Sequence, residues 1–168
     1  KGYGQFLLFD LRRDAHGDLK EEMPLNAASG ASILLAGANF GSGSSREAAV
    51  YALVDAGFRA VIAPSFGDIF AANAVNNGLL PAVVASECLE QLQAATHGST
   101  VTMRIDLQAL ELSVGGISVP FTVDESWRTK LINGWDDIDL TQQHQDQIAA
   151  FRAAHVETTP WALPTKAI

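Results

Sequence analysis

The chain has 168 residues, of which 48% are hydrophobic, and it carries a formal net charge of −8 at pH 7. This length and hydrophobic content suit one domain with a buried core, so we expect a single domain over residues 1–168. The acidic balance argues against nucleic acid or an anionic membrane surface as the main partner, because both reward clustered lysine and arginine. The sequence has no apolar run long enough to span a membrane and no recognisable signal peptide, so we expect a cytoplasmic protein.

The cysteine and histidine content limits the metal sites that the chain could form. Cys88 is the only cysteine, which excludes an intrachain disulfide, a cysteine zinc site and a self-contained iron–sulfur cluster. The histidines are widely spaced and none belongs to an H-x-x-x-H pattern; they are His16, His97, His144 and His155. We therefore assign no metal to this chain.

The predicted elements up to residue 98 alternate between strands and helices. The chain starts at Lys1 with a sequence typical of a domain interior, and an irregular polar stretch follows. Short apolar runs predict buried strands over residues 32–40, 60–63 and 79–84. Helical sequence occupies residues 48–55, 68–76 and 86–95, and each helix is stopped by a glycine, at Gly57, Gly78 and Gly98. This order predicts an α/β fold with parallel strands.

From residue 100 onwards the rhythm of the sequence changes. Residues 110–114 and 117–121 alternate apolar and polar side chains on either side of Gly115-Gly116, which predicts a β-hairpin. Residues 124–133 then predict a helix that is ended by Gly134, and residues 140–154 predict a longer helix.

The loop over residues 41–47, Gly-Ser-Gly-Ser-Ser-Arg-Glu, stands between the first strand and the first helix. Ser44 and Glu47 have the S-x-x-E spacing of a capping box, in which the serine cap would stabilise the helix by about 1 kcal/mol. A cap leaves the glycines, the other serines and Arg46 unexplained. Free N–H groups and the helix dipole would favour a carboxylate or phosphate here, to which Arg46 could donate two parallel hydrogen bonds.

Three familiar glycine-rich signatures do not fit this loop. It lacks the Gly-Lys-Ser/Thr ending of a P-loop, and Arg46 occupies the place of the third glycine in G-x-G-x-x-G. None of its serines has glycines two residues away on both sides, as a nucleophile elbow needs. Nucleotide binding and ordinary serine hydrolysis are therefore disfavoured.

Several segments of the chain resemble one family. Residues 39–47 (NFGSGSSRE), 57–70 (GFRAVIAPSFGDIF) and 76–81 (NNGLLP) are similar to the small subunits of 3-isopropylmalate dehydratase, the separate swivel domain of the aconitase superfamily. The resemblance continues through residues 136–141 and His144, so it covers nearly the whole chain. It implies an α/β fold of the swivelling β/β/α type and a hydro-lyase of leucine biosynthesis, which converts 2-isopropylmalate to 3-isopropylmalate through bound isopropylmaleate.

The resemblance also implies a partner and a divided active site. In this family three cysteines of a large subunit hold a [4Fe–4S] cluster, whose open iron binds the hydroxyl and a carboxylate of the small dicarboxylate substrate. The active site lies between the two subunits. We therefore expect no cofactor on this chain itself, which agrees with its single cysteine.

Position by position, the resemblance makes Ser44 the general base that takes a proton from the carbon next to a carboxylate, and Arg46 a ligand of a substrate carboxylate. Ser42, Gly43 and Ser45 would assist anion binding. Ionising an alkyl hydroxyl at neutral pH costs about 12 kcal/mol, whereas a helix N-terminus supplies at most about 2 kcal/mol. Arg46, neighbouring donors and a dry subunit interface have to supply the rest, so we expect no dehydratase activity from the isolated chain.

Two alternatives stay open at this stage. Hydratases of citraconate or dimethylmaleate and homoaconitases share this loop, and they differ mainly in the partner and in an N-terminal segment that reads the variable group of the substrate. That segment precedes the counterpart of residues 2–6, and we expect it to be missing here. In a different functional class, the chain could be a non-catalytic module that binds anions without a partner.

Overall fold

The computed structural model describes residues 2–27 and 30–162 of the chain. They belong to two units, Lys1–Gly134 and Trp135–Ile168. Lys1, from which the missing N-terminal segment was inferred, lies outside the described residues. The single domain over residues 1–168 stays a prediction.

In the first unit a short 3₁₀ helix, Tyr3–Phe6, precedes the other elements. The α-helices are α1 (Phe9–Arg12), α2 (Pro24–Ala27), α3 (Ala48–Asp55), α4 (Asp68–Asn76), α5 (Ser86–Thr96) and α6 (Glu125–Asn133). The strands are β1 (Ile33–Leu35), β2 (Ala60–Ala63), β3 (Leu80–Val83), β4 (Arg104–Asp106), β5 (Glu111–Val114) and β6 (Ile117–Pro120).

Strands β1, β2 and β3 form a parallel sheet in that order. Helix α3 connects β1 to β2, and helix α4 connects β2 to β3. The predicted α/β pattern with parallel pairing is therefore confirmed, and β2 and α4 have the predicted bounds. The prediction for residues 32–40 is wrong in extent and burial, because β1 has three residues, is half-buried and lies at the edge of the sheet.

Side chains of β2 alternate between two hydrophobic clusters on opposite faces of the sheet. Val61 belongs to the cluster formed with α3 and α4, which includes Leu53 and Phe70. Ala60 and Ile62 belong to the other cluster, which α5 and the second sheet complete. All four residues of β2 are buried, and this burial on both faces explains why its sequence is continuously apolar.

Strands β4, β5 and β6 form an antiparallel sheet. Gly115 and Gly116 turn β5 into β6 with φ angles of 56° and 83°, the left-handed values that a type I′ hairpin turn requires. The predicted hairpin is therefore confirmed. One antiparallel bridge pairs Val83 of β3 with Thr122 and so connects the two sheets.

Helix α6 begins and ends where the sequence predicts. The Asp124 carboxylate caps it by accepting from the N–H groups of Ser126 and Trp127, and Gly134 closes it with a φ of 68°. Lys130 of α6 is buried, and its Nζ lies 2.5 Å from Oδ1 of Asn76 at the end of α4. This contact ties α6 to α4.

The second unit contains two helices where one was predicted. They are α7 (Asp137–Gln142) and α8 (Gln145–Thr158), followed by a 3₁₀ turn, Pro160–Ala162. The prediction of one helix over residues 140–154 is wrong, because a capping box between Asp136 and Asp139 starts α7 early and the chain breaks at His144. Among the described residues, no helix is both long and apolar enough to cross a membrane.

Candidate active site

The serine-rich loop, residues 39–47, follows β1 and is hydrogen-bonded beside the carboxyl end of β2. The N–H of Phe40 donates to the carbonyl of Ser65 at 3.0 Å, and the N–H of Gly67 donates to the carbonyl of Phe40 at 2.9 Å. These bonds form a parallel bridge between Phe40 and Phe66. The loop therefore lies at the carboxyl edge of the parallel sheet, where α/β proteins commonly bind ligands.

The first part of the loop is held by both polar and aromatic contacts. The N–H of Asn39 donates to Oγ of Ser65 at 2.8 Å, and that hydroxyl lies 3.2 Å from Oδ1 of Asn39. Phe40 packs edge-on against Phe70, with ring centroids 5.3 Å apart. Gly41 has a φ of 78°, and a Cβ there would overlap the Phe70 ring. Only glycine fits at this position without strain.

The capping box predicted from Ser44 and Glu47 does not form. Helix α3 begins at Ala48, with Glu47 as its N-cap residue and no capping hydrogen bond from the side chain. Oε1 of Glu47 instead accepts from Nδ2 of Asn77 at 2.8 Å. A hydrogen bond to the same carboxylate is the largest of the effects that raise the pKa of the Tyr51 phenol. Glu47 is thus used in tertiary contacts, and Ser44 is released from the capping role.

Ser44 and Arg46 lie next to each other at the start of α3. The Ser44 side chain is half-buried, and its Oγ accepts from the N–H of Arg46 at 3.2 Å and lies 3.5 Å from the Arg46 carbonyl oxygen. The other predicted site residues, Ser42, Gly43 and Ser45, are exposed together with Arg46. All five residues are contiguous in the sequence, and the Ser44 side chain is only partly buried.

The loop and the first turn of α3 present several uncommitted hydrogen-bond donors. The N–H groups of Gly43, Ser45, Glu47 and Ala48 have no acceptor among the residues that the structure describes, and the Arg46 guanidinium likewise has no partner there. Four N–H groups, a guanidinium and the positive end of α3 together make a site suited to a carboxylate.

Ser44 has no neighbouring acid or base of the kind that serine hydrolases use. Within residues 2–27 and 30–134, no histidine, aspartate or glutamate side chain bonds to its Oγ. The N–H of Arg46 donates to this oxygen, which favours the deprotonated hydroxyl. The contacts of Ser44 with the Arg46 backbone do not fit a Ser-His-Asp triad.

A pocket of about 680 Å³ lies next to the loop. It is lined in part by Ser65 and Phe66, which pair with the beginning of the loop. Its lining also includes Trp127 and the carboxylates of Asp68 and Asp124. Hydrogen bonds from Ser126 and Trp127 lower the pKa of Asp124, so this carboxylate is charged at neutral pH. Two carboxylates disfavour an anionic ligand in the pocket, which leaves the loop as the better anion site.

Sequence reasoning missed the residues that hold the loop in place. Asn39 and Ser65 anchor its beginning, and Asn77 holds Glu47 at its end. Asn77 belongs to the segment 76–81 that resembles the family, and it directly precedes Gly78, which stops α4. A polar residue directly after a helix is an ordinary stop signal, so nothing local indicated its second contact.

The described residues do not fit a resident iron–sulfur cluster. They contain no group of three or more His, Cys, Asp or Glu side chains placed to hold a metal ion. Cys88 lies on α5 and packs against the hydrophobic cluster between the two sheets. It therefore acts as a packing residue here.

Comparisons with known proteins agree with this site. Residues 12–87, which contain the loop, match the family model of the aconitase C-terminal domain, and residues 137–165 match that of the C-terminal domain of the 3-isopropylmalate dehydratase small subunit. A 3-isopropylmalate dehydratase small subunit from Rhodospirillum centenum is 45% identical over 166 residues, which span 96% of this chain and 82% of the relative. The chain belongs to the 3-isopropylmalate dehydratase small-subunit family.

Other members of the small-subunit family give the same result. The proteins of this name from Rhodopirellula baltica and Bacillus subtilis are 48% and 44% identical, covering 91% and 90% of this chain and 81% and 78% of their own lengths. The crystal structure of 3-isopropylmalate dehydratase from Methanocaldococcus jannaschii is 29% identical, with a TM-score of 0.57 over 80% of this chain and 77% of that one. The resemblance and the α/β fold of the small-subunit type are confirmed.

Proposed function

We propose that this chain is the small subunit of a 3-isopropylmalate dehydratase and contributes the proton acceptor and an anion grip to a shared active site. The observation that carries the proposal is the position of Ser44, half-buried beside Arg46 among N–H groups that have no acceptor in the described residues. A dicarboxylate substrate supplies the missing acceptors.

The reaction divides naturally between the groups on this loop and a partner. Ser44, in its ionised form, takes the proton from the carbon next to a substrate carboxylate, and the C–C double bond of isopropylmaleate forms. The hydroxyl of the neighbouring carbon receives a proton from an acid of the partner subunit and leaves as water. Addition of water in the opposite sense gives 3-isopropylmalate. Arg46 binds a carboxylate with two hydrogen bonds and stabilises the negative charge that develops beside it, assisted by Ser42, Gly43 and Ser45.

The partner is a large subunit that holds the iron–sulfur cluster. The family name describes a small subunit, and the exposed loop fits an active site that a second chain completes. The single cysteine of this chain cannot supply the cluster ligands. Leucine biosynthesis in the cytoplasm is the setting that this proposal implies.

Reconstitution tests the proposal directly. The purified chain, the large subunit from the same organism and the equimolar mixture are assayed under anaerobic, iron-replete conditions by the absorbance of the unsaturated intermediate. We expect turnover of 2-isopropylmalate only in the mixture. Activity of this chain alone, or an inactive mixture whose large subunit works with another small subunit, would contradict the proposal.

The same mixture distinguishes related substrates. Isopropylmaleate, citraconate, dimethylmaleate and the unsaturated homoaconitase intermediate are supplied in turn, and hydration is followed as the loss of absorbance. We expect the highest kcat/KM with isopropylmaleate. A higher value for another acid would keep the mechanism and reassign the chain to that hydro-lyase.

A further inference from the structure

The serine-rich loop is fastened at the two ends of a single helix, α4. Its beginning is bonded to residues 65–67, which lead into α4. Its end is bonded to Asn77, which follows the last residue of α4, through the Glu47 carboxylate at 2.8 Å. Between these fastenings lie Ser44 and Arg46.

Asn77 and Glu47, which form the contact at the end of the loop, are each restrained by further interactions. Nδ2 of Asn77 also donates to the carbonyl of Asn73 at 2.9 Å, and its N–H caps the end of α4. The Glu47 carboxylate is also the main cause of the raised pKa of the Tyr51 phenol, one turn further along α3. The hydrogen bond from Asn77 fixes Glu47 against the end of α4, although the Glu47 side chain is exposed.

Ser44 and Arg46 have no comparable restraint of their own. The contact of the Ser44 side chain is with the backbone of Arg46, and the Arg46 guanidinium has no partner within the described chain. Their position relative to the rest of the fold is consequently set by the residues that bracket them. A displacement of about 1 Å at a reacting group can lower a rate about 100-fold.

We propose that Glu47, held by Asn77, is a positioning residue that fixes Ser44 and Arg46 for proton abstraction. This role rests on the proposed function and goes beyond it, because the proposed reaction assigns no step to Glu47. It also replaces the capping role that the sequence predicts for Glu47. The Glu47–Asn77 pair is thus a structural contact whose effect is on catalysis.

The test compares Asn77→Ala with Asn133→Ala in the complex with the large subunit. Asn133 ends α6, and its Nδ2 donates to the carbonyl four residues back at 2.9 Å, as Asn77 does on α4, so the control removes the same helix-end bond without a glutamate partner. We expect Asn77→Ala to lower kcat 10- to 100-fold with KM changed less than threefold. Asn133→Ala should leave both within twofold.

Two further variants separate positioning from folding. Glu47→Gln keeps an oxygen acceptor for Asn77 and should retain kcat within about threefold, whereas Glu47→Ala should match Asn77→Ala. The double alanine variant should lose no more kcat than either single variant, because each single variant already breaks the Glu47–Asn77 contact. Wild-type kcat in Asn77→Ala and Glu47→Ala, or equal losses in Asn133→Ala, would overturn the proposal.

A measurement on the isolated chain keeps this proposal separate from the proposed function. NMR order parameters of the amides of residues 43–46 should fall in Asn77→Ala and stay unchanged in Asn133→Ala. If the wild-type complex is inactive but the order parameters of these amides fall in Asn77→Ala, the proposed function is contradicted and the role of Asn77 in restraining the loop is supported. If the complex is active and the amides are unaffected, the positioning role fails.

Discussion

Gly67 lies against the backbone of Ser42, so closely that a Cβ built on Gly67 would be 2.9 Å from the Ser42 Cα. The φ of Gly67 is −68°, an angle that any residue adopts. Glycine is therefore favoured here because the loop leaves no room for a side chain. The backbone conformation of Gly67 does not require glycine. The Gly67–Ser42 contact links the start of α4 to the residues that we propose bind the anion.

Gly67→Ala is expected to displace the loop while leaving the fold intact. The added methyl group must push the Ser42 backbone away, which typically destabilises a protein by about 1–3 kcal/mol. Urea unfolding should give this loss, and the reconstituted complex should lose at least tenfold in kcat. Gly37→Ala is the control, because a Cβ on Gly37 meets nothing within 4 Å. Full activity in Gly67→Ala would mean that the loop position is not critical.

Gly43→Ala should leave the stability of the isolated chain unchanged and weaken substrate binding in the complex. A Cβ on Gly43 meets nothing within 4 Å in this chain, and its φ is not positive. The unfolding free energy of the isolated chain should therefore change by less than about 0.5 kcal/mol. The proposed function requires substrate to approach this backbone closely, so KM in the complex should rise at least tenfold. An unchanged KM would remove Gly43 from the anion site.

Acid should weaken the cap of α6. The hydrogen bonds that lower the pKa of Asp124 come first from the Ser126 side chain and then from the N–H of Trp127. A lowered pKa contributes stability above the unfolded value of about 3.9, and this contribution is lost as the pH falls through the folded value. At pH 7, Asp124→Ala should lose about 1 kcal/mol in urea unfolding.

The difference between Asp124→Ala and the wild type should narrow as the pH falls below about 4, because protonation weakens the wild-type cap as well. Asp124→Asn keeps an acceptor but cannot titrate, so its stability should depend less on pH in this range. A difference between wild type and Asp124→Ala that is constant from pH 7 to pH 3 would contradict the assignment.

Elements whose signals are local were predicted well from the sequence. Residues 60–63 form a strand that is buried on both faces. Such a strand can be recognised in the sequence because all of its residues are apolar. The pair Gly115-Gly116 specifies a turn by the φ angles that glycine allows, independently of the rest of the chain. The start of α6 at Asp124 likewise depends on one cap.

Elements that depend on distant contacts, or that no glycine or proline marks, were predicted poorly. The spacing of Ser44 and Glu47 satisfies a capping box, but Asn77, thirty residues away, binds the glutamate instead. The break at His144 has no glycine or proline to announce it; the N–H of His144 bonds back three residues to Thr141, which ends α7 in a tighter turn. The five proposed site residues are contiguous in the sequence, whereas the residues that contact the loop, such as Ser65 and Asn77, are distant from it in the sequence.

In the proposed function the Ser44 hydroxyl is the proton acceptor of a site that a second subunit completes. This role is tested by kcat of the reconstituted complex with Ser44→Ala, compared with Ser118→Ala, which removes an exposed hydroxyl on β6. Losing the Ser44 bond to Arg46 should change stability by only about 1 kcal/mol, so assembly and thermal unfolding should stay near wild type. We predict a loss of about 10²- to 10⁴-fold in kcat for Ser44→Ala and none for Ser118→Ala. A Ser44→Ala complex that turns over at the wild-type rate would contradict the account.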